Sequence, residues 1–369
     1  MNAALPASLM KESIAKETLS KKNTTPFFIK LFNWEYWSFG VVYFPIYFYW
    51  FYLCLRARNL FFFNASNPTI ENGGYLMEHK SDIYDIMPQA YYPKTLLVKE
   101  GLSFEEIKLL VIKNNFQFPV IVKPDIGGKG RGVRKIDHIE DAIAYIQYAN
   151  FPMLVQALVD YKNEAGIFYY RYPWEENGKI SGIVAKEFLA VTGDGSSTLE
   201  ELVMQNPRFI LQLHALRRMP EINLKDILQE GEEKIMVPFG NHARGAKFID
   251  VSYKITIDLE KKIDTICKQV PGFYFGRLDI MFTNWEDLIE GKNLSIIELN
   301  GAGSEPTHIY DPAHSIFFAW KEIARHLKIL YRISVYNHQQ KNIPYLSFKK
   351  GIKMFKDARG VKRKLDGLL

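Results

Sequence analysis

A glycine-rich stretch between two short extended segments, FPVIVKPDIGGKGRGVRKI, constrains the fold more than any other part of the chain. The β-branched run Val120–Val122 ends at Lys123-Pro124, and residues 133–136 resume an extended pattern. Between them, residues 127–132 contain four glycines and two cations. Glycine lets backbone N–H groups approach an anion, and the cations neutralise its charge. The stretch therefore predicts either a flap that closes over polyphosphate or an ordinary hairpin with surface charges.

The spacing in this loop differs from two common nucleotide-binding motifs. Gly128-Lys129 is followed by Gly130, where a Walker A loop has Ser or Thr. The dinucleotide-binding fingerprint opens a helix, whereas the residues after this loop have the pattern of a strand. Neither motif therefore explains the loop.

Length and composition limit the classes of protein that the chain can be. A chain of 369 residues has room for two or three domains, and 47% hydrophobic and 24% charged residues are ordinary for a folded protein. The two cysteines, Cys54 and Cys267, exclude a disulfide framework or a thiolate zinc site and favour a reducing compartment. The net charge of +6 suits anionic partners such as nucleotides or acidic lipid, but it is too small to indicate a nucleic-acid-binding protein.

An aromatic segment near the N-terminus has an unusual composition. From Trp37 to Leu55, nineteen residues carry no charge, which approaches the ~20 residues that a membrane span needs. Trp and Tyr, which prefer the membrane interface, dominate this segment, and Pro45 is expected to interrupt it. Three alternatives stay open: an interfacial or re-entrant membrane segment, a true span, or an aromatic segment buried in protein or against a partner. Arg56 and Arg58 fit a cytoplasmic flank.

The C-terminal residues are strongly basic. Between positions 349 and 364 there are eight Lys and Arg residues, with Asp357 and Asp366 as the nearby carboxylates. This pattern predicts either a solvated tail or a contact with anionic membrane, where each cation contributes ~1 kcal/mol.

Two downstream segments, FGRLDIMF and SIIELN, alternate polar and apolar residues with the period of a strand. The first has Arg277 and Asp279 on one face, and the second has Glu298 and Asn300 on one face. If these strands are neighbours, three oxygen ligands meet in one patch, which suits Mg²⁺ held jointly with phosphate oxygens. Taken singly, each carboxylate is more simply a surface group. The apolar flanks of both strands indicate an interior position, where an unpaired carboxylate would be costly.

The order of these segments resembles the ATP-grasp superfamily, and within it carboxylate–amine ligases such as D-alanine–D-alanine ligase. The resemblance covers roughly residues 76–315 and rests on the flap, the segment at Glu164, the RLD strand and the ELN strand, in that order. It implies an α+β protein with the ATP-grasp fold, in which two α/β subdomains grip ATP. The run VTGDGSSTL at residues 191–199 is similar to ATP-grasp peptide and amino-acid ligases such as cyanophycin synthetase.

The resemblance also implies which residues contact ATP. The segment 156–159 matches the adenine-binding hinge, although the hinge of the family usually begins with an acid, and Glu164 matches the acid that binds the ribose hydroxyls. The positions that the resemblance implies for ATP are Lys80, Lys123, Gly127, Gly128, Lys129, Gly130, Gln156, Ala157, Leu158, Val159, Glu164 and Lys186.

A second set of positions is implied for metal binding and catalysis. The expected ligands of Mg²⁺ or Mn²⁺ are Asp279, Glu298 and Asn300. The resemblance places Arg277 near the transferred phosphoryl group or the tetrahedral intermediate and gives Lys186 a catalytic contact with phosphate. His242 and Arg244 lie in a small basic loop and are candidates for substrate contact, although a lone loop histidine is more often polar surface.

The expected organisation has five parts. They are a polar N-terminus with the aromatic segment (1–58), a linker or remnant (59–95), the small flap subdomain (96–157), the C-terminal catalytic subdomain (158–335) and the basic tail (336–369). The complete N-terminal domain of D-alanine–D-alanine ligases is replaced here by the aromatic segment and the remnant, which makes D-alanine a doubtful substrate.

The function implied is an ATP- and Mg-dependent ligase that joins a carboxylate to an amine through an acylphosphate and forms ADP and phosphate. Its substrates are small molecules or lipid-linked envelope compounds, its place is the cytoplasmic side of a membrane, and nucleic acid is not expected. Two alternatives stay open: a membrane-associated nucleotide-binding scaffold without turnover, and an ATP-grasp phosphotransferase that makes a phosphate ester.

Overall fold

The computed structural model describes residues 26–128, 130–219, 222–237 and 245–368. The chain divides into two compact units. The larger unit comprises Phe44–Lys186, Phe248–Tyr310 and Phe317–Leu369, and the smaller unit comprises Met1–Tyr43, Glu187–Lys247 and Asp311–Ile316. The polar segment 1–25, for which little regular structure was expected, lies outside the described residues.

The strands, in chain order, are β1 (Thr95–Val98), β2 (Val120–Pro124), β3 (Arg134–Ile136), β4 (Met153–Ala157), β5 (Asn163–Tyr170), β6 (Lys179–Glu187), β7 (Leu189–Thr192), β8 (Glu233–Val237), β9 (Lys247–Asp250), β10 (Phe275–Phe282) and β11 (Leu294–Asn300).

The α-helices, in chain order, are α1 (Pro26–Phe32), α2 (Phe39–Ala57), α3 (Lys80–Ile86), α4 (Phe104–Lys113), α5 (Ile139–Ala149), α6 (Leu199–Met204), α7 (Pro207–Ile210), α8 (Leu213–Leu216), α9 (Ile257–Lys268), α10 (Trp285–Glu290), α11 (Ile316–Lys341) and α12 (Phe348–Asp366). The predicted α+β class is confirmed.

Two sheets form the framework of the larger unit. The first has the strand order β1-β4-β2-β3 with antiparallel pairing throughout, and the second has the order β11-β10-β5-β6-β9. Strands β2 and β3 flank the glycine-rich loop and pair with each other, as the sequence predicted. Helices α4 and α5 pack on the first sheet, and Ser103 caps α4 in a full capping box with Glu106.

The segment before the first sheet is packed into the core of the larger unit. Asn67 is fully buried, and its side-chain amide donates to the carbonyls of Gly73 and Phe275 while its oxygen accepts from the backbone N–H groups of Tyr274 and Phe275. Gly301, directly after β11, approaches so closely that an added Cβ would lie 2.4 Å from the carbonyl oxygen of Gly73. This segment is therefore tied to the end of the β10–β11 pair where β10 begins and β11 ends.

The smaller unit is built around a two-stranded antiparallel sheet of β7 and β8 with helices α6 to α8. Thr198 caps α6 in a capping box with Glu201. One guanidinium nitrogen of Arg208 donates hydrogen bonds to both oxygens of the buried Glu35 carboxylate, each at 2.8 Å. His242 and Arg244, the loop candidates, fall outside the described residues.

Two expectations differ from the structure. The composition of residues 180–191 predicts a single strand, whereas the structure has two strands there, β6 and β7, which belong to different sheets. The segment expected to break at Pro45 is one helix, α2, because a proline removes only one backbone donor and the flanking turns continue. The basic residues at positions 349–364, for which the sequence left a solvated tail or a membrane contact open, lie in α12, and Ser347 caps this helix by accepting a hydrogen bond from Lys350 N–H.

Helix α2 is the one helix among the described residues that is long and apolar enough to cross a membrane, a criterion that core helices and signal sequences also meet. One of its faces is buried: Leu53 and Cys54 are about 3% and 2% exposed and share a hydrophobic cluster with Phe62 and Phe63. The opposite face is exposed to solvent.

We expect Asn67→Ala to lower the free energy of unfolding by about 3 kcal/mol or more, because it leaves several buried backbone groups without partners. Urea unfolding followed by tryptophan fluorescence measures the change. The matched control is Asn163→Ala, an exposed amide with one hydrogen bond to Thr283, which should cost less than about 1 kcal/mol. Equal losses for the two variants would contradict the role given to Asn67.

Candidate active site

The polar faces of β10 and β11 lie side by side in the second sheet. The two strands are antiparallel neighbours, with Asp279 opposite Glu298 and Arg277 opposite Asn300. The neighbourhood predicted from the alternating pattern is therefore present. The metal-binding role of these residues stays a prediction.

A β-bulge in this pair leaves one backbone carbonyl outside the strand ladder, and this carbonyl connects the two sheets. The register shifts between Asp279 and Ile280, so that Ile297 has no partner in the ladder. Its carbonyl oxygen accepts hydrogen bonds from Lys123 Nζ at 3.1 Å and from Tyr84 Oη at 2.6 Å. A buried carbonyl needs a partner, and here the partners come from β2 and α3.

Lys123 is a buried cation held by neutral oxygens. It is 7% exposed, and besides Ile297 its Nζ donates to Gln156 Oε1 at 2.8 Å and to Tyr84 Oη at 3.0 Å. None of the ion pairs found in the described part of the chain includes Lys123. Burial therefore lowers the pKa of Lys123 to about 8.

On the neighbouring strands, four charged groups form a compact network. Lys186 bonds Glu164 at 2.5 Å and lies 3.3 Å from Asp279, and the Arg277 guanidinium donates to both oxygens of Asp279 at 3.1 and 2.9 Å. Burial alone would lower the pKa of Lys186, but Asp279 and Glu164 outweigh it and raise the pKa. Burial likewise opposes ionisation of Asp279, yet Arg277 and Lys186 hold its pKa below the ordinary value.

The glycine-rich loop is tied to the first turn of α3, which carries Lys80. Lys80 Nζ donates a short hydrogen bond to the carbonyl of Gly127 and lies 3.5 Å from Glu298. Asp125, 1% exposed and directly before the loop, accepts from the Ser81 N–H and hydroxyl, and its backbone carbonyl accepts from Lys80 N–H. Gly128 and Gly130 belong to the same loop, and Lys129 lies outside the described residues.

The predicted adenine-binding hinge, residues 156–159, lies partly in β4 and partly in the irregular backbone after it. Gln156 is buried, and its side chain bonds Lys123, Tyr84 and Thr95, so that this side chain positions the lysine. The N–H of Ala157 donates to the carbonyl of Lys94. Leu158 and Val159 follow in irregular backbone between β4 and β5, where the chain passes from the first sheet to the second.

The last turn of α12 packs on the glycine-rich loop. A Cβ added to Gly127, whose φ is 134°, would lie 2.5 Å from Leu365 Cδ1, and one added to Gly132 would lie 3.4 Å from Leu368 Cδ1. Arg131 forms an ion pair with Asp366 at 2.8 Å. The C-terminal helix therefore holds the loop by apolar contact and by charge.

Charge and donor chemistry together favour a bound polyphosphate with a hard cation. The cations of the cluster are Lys80, Lys123, Lys186 and Arg277, and its carboxylates are Glu164, Asp279 and Glu298. No group of three or more His, Cys, Asp or Glu side chains able to hold a metal occurs in the described ranges. The oxygen donors of Asp279, Glu298 and Asn300 nevertheless fit Mg²⁺, which usually takes one or two carboxylates and completes its shell with phosphate oxygens and water.

Comparisons with known proteins give structural similarity alone. A scan against protein-family models finds no match, and a search of curated proteins finds none either. A bifunctional glutathione synthetase from Pasteurella multocida aligns at 15% identity and a TM-score of 0.39, covering 72% of this chain and 36% of that one.

Two further solved structures align over a similar stretch. The VanG D-Ala:D-Ser ligase from Enterococcus faecalis aligns at 15% identity and a TM-score of 0.41, covering 71% of this chain and 63% of that one. The D-alanine–D-alanine ligase from Bacillus anthracis aligns at 12% identity and a TM-score of 0.40, covering 71% and 68%. This chain spans about a third of the length of the glutathione synthetase and less than two thirds of the length of the VanG ligase.

Sequence reasoning missed several residues of the site. Tyr84 and the carbonyl of Ile297 gave no local signal, because their partners are distant in the chain. Asp125 alone offered a hint, since a carboxylate between Pro124 and an apolar residue is unusual in an interior strand end. The contact of Leu365 with the loop could not be read from the sequence.

Lys123 should leave a signature in the pH dependence of stability. Its folded pKa of about 8 lies below the ordinary 10.5, so between these values the unfolded chain binds more protons and stability rises with pH. We expect wild type to gain on the order of 3 kcal/mol relative to Lys123→Met across this window. Urea unfolding of both proteins, without nucleotide, at a series of pH values tests it. A stability difference that does not change with pH would contradict the prediction.

The contact of α12 with the loop should protect the loop from proteolysis. We expect the double variant Leu365→Ala, Asp366→Asn to be cleaved by trypsin within residues 127–132 roughly tenfold faster, because local opening costs less. Mass spectrometry of the fragments gives the rate at this site. Asp357→Asn, which removes only a bond to Lys353 on the same helix, is the control and should leave the rate unchanged.

Proposed function

We propose that the protein is an ATP- and Mg-dependent ligase that joins a carboxylate to an amine through an acylphosphate. The observation that carries the proposal is Lys123, a buried ammonium with neutral partners only, next to the Asp279–Glu298 patch and close to a glycine-rich loop. A buried charge whose direct partners are all neutral is costly, and Glu298 and Asp125 nearby offset only part of that cost. A phosphate oxygen would supply a direct negative partner.

The reaction uses the charges that the site gathers. A carboxylate oxygen attacks the γ-phosphorus of ATP, the bond to the bridging oxygen breaks, and ADP leaves. The amine then attacks the acyl carbon, the C–N bond forms, inorganic phosphate is expelled and the nitrogen loses a proton. Lys123 and Lys186 offset the negative charge of the phosphoryl group during transfer. Arg277 stabilises the oxyanion at the acyl carbon.

Metal and loop complete the proposed site. Asp279, Glu298 and Asn300 would hold Mg²⁺, which neutralises charge on the transferring and leaving oxygens. Arg277 bonds both oxygens of Asp279 and so fixes the direction of this carboxylate. The glycine-rich loop excludes water from the acylphosphate, which water would otherwise hydrolyse.

Substrates and location form the finer part of the proposal. The substrates are a carboxylate and an amine, either small molecules or lipid-linked, and the enzyme works on the cytoplasmic side of a membrane surface. The exposed face of α2 and the basic helix α12 support this location.

Release of ADP on a panel of carboxylates and amines, with product identification by mass spectrometry, tests the proposal. We expect a cognate pair to stimulate ADP release and yield an amide, and Lys123→Met or Asp279→Asn to reduce the rate by about 100-fold or more. Lys292→Met and Asp357→Asn, at exposed ion pairs, are the matched controls and should retain the wild-type rate.

Each alternative has its own outcome. Tight binding of ATP with no turnover on any pair would favour a nucleotide-binding scaffold, and a phosphate ester as product would favour a phosphotransferase. Equal ATP affinity in wild type and Lys123→Met, measured by calorimetry, would remove the argument made from Lys123.

A further inference from the structure

Helix α2 presents an apolar face to solvent. Phe44, Phe48, Phe51 and Leu55 are 63%, 68%, 55% and 78% exposed. Their spacing of four, three and four residues puts them on one side of an α-helix. Soluble monomers rarely expose a contiguous apolar surface of this kind unless something binds to it.

The opposite side of α2 is fixed to the larger unit. Leu53 and Cys54 are buried there, and the ring of Trp50 lies 5.0 Å from that of Phe62 and 6.0 Å from that of Phe63. A helix that spans a bilayer would have to give up these contacts. The exposed face can instead meet a surface while the buried face stays in place.

Cations flank this face. Arg56 lies on the last turn of α2, where its guanidinium donates to Tyr52 Oη at 3.0 Å, and Arg58 follows directly and is exposed. Helix α12 begins beside the hydrophobic cluster that contains Leu53 and Phe61. The ring of Phe61 lies 6.2 Å from those of Phe348 and Phe355.

Helix α12 carries most of the excess positive charge. It has eight Lys and Arg residues against two Asp residues, an excess equal to the +6 of the whole chain. It also exposes two apolar residues four positions apart, Phe348 (65% exposed) and Ile352 (37%), between its lysines. Aromatic residues with interspersed cations are the composition of helices that lie in the membrane interface.

We propose that a bilayer containing anionic lipid docks on this surface, with α2 lying in the plane of the interface. The docking surface consists of Phe44, Phe48, Phe51, Leu55, Phe348 and Ile352, with the cations of α12. The inference deepens the proposed membrane location and rests on it, and it is independent of the reaction catalysed. A second copy of the chain is the less suitable occupant, because two surfaces with like charge repel each other, whereas anionic headgroups attract both helices.

Vesicle binding by the full chain tests the docking surface. Sedimentation with vesicles of phosphatidylcholine, with and without phosphatidylglycerol, should give tighter binding to the anionic vesicles and weaker binding at high salt. The triple variant Phe44→Ser, Phe48→Ser, Phe51→Ser should lose affinity by about tenfold or more. Its control, Leu109→Ser with Ile112→Ser, alters equally exposed residues of α4 and should bind like wild type.

A separate variant tests whether binding requires the positive charge of α12. Lys349→Gln, Lys350→Gln, Lys356→Gln should remove most of the preference for anionic vesicles while keeping the residual binding to phosphatidylcholine. Circular dichroism and urea unfolding of each variant confirm that the fold is retained, which the exposure of the changed side chains favours.

Three outcomes would overturn the inference. Equal binding of wild type and the triple serine variant would show that this face does not dock. A concentration-dependent dimer without vesicles, lost in the triple variant, would assign the face to a second copy. Protein that resists extraction by alkaline carbonate would indicate a spanning helix. ADP release measured on the same proteins without vesicles keeps a failure of docking distinct from a failure of the ligase proposal.

Discussion

The arrangement of the site depends on one buried ammonium group. Lys123 lies on the first sheet, and its ammonium group donates a hydrogen bond to the carbonyl of Ile297 on the second sheet. Tyr84 forms hydrogen bonds with both the ammonium group and this carbonyl. A bulge in β11 releases this carbonyl from the ladder, and Gln156 fixes the lysine from the other side. The two sheets are thus joined through the ammonium group of Lys123, whose direct hydrogen-bond partners are all neutral oxygens. The same feature costs stability while the lysine is charged, and in the proposed function a phosphate oxygen offsets that cost.

The sequence predicted those parts of the fold that local patterns specify. Alternation with period two identified β10 and β11, and the Gly-rich stretch identified the β2–β3 hairpin. The prediction that Asp279 and Glu298 lie together rested on the apolar residues of both strands, which indicated that the strands are in the interior. The caps at Ser103 and Thr198 follow from side-chain chemistry within one turn.

The rest depends on contacts between distant parts of the chain. Nothing near Tyr84 indicates that it bonds Ile297, 213 positions later. Gln156 was expected at an adenine contact, whereas its side chain is used to position Lys123. The strand expected at residues 180–191 divides between two sheets, because the partner strands β5 and β8 lie in different units, which alternation within the segment cannot reveal.

The contact of α12 with the glycine-rich loop bears on the order in which the protein is made. Leu365 and Leu368, which pack against residues 127–132, are synthesised only after the whole intervening stretch of residues 133–364. On the ribosome, the first sheet can form its hydrogen bonds long before its loop acquires its packing partner. The loop therefore reaches its final environment only after α12 has been made, and until then the folded sheet carries a loop without this packing.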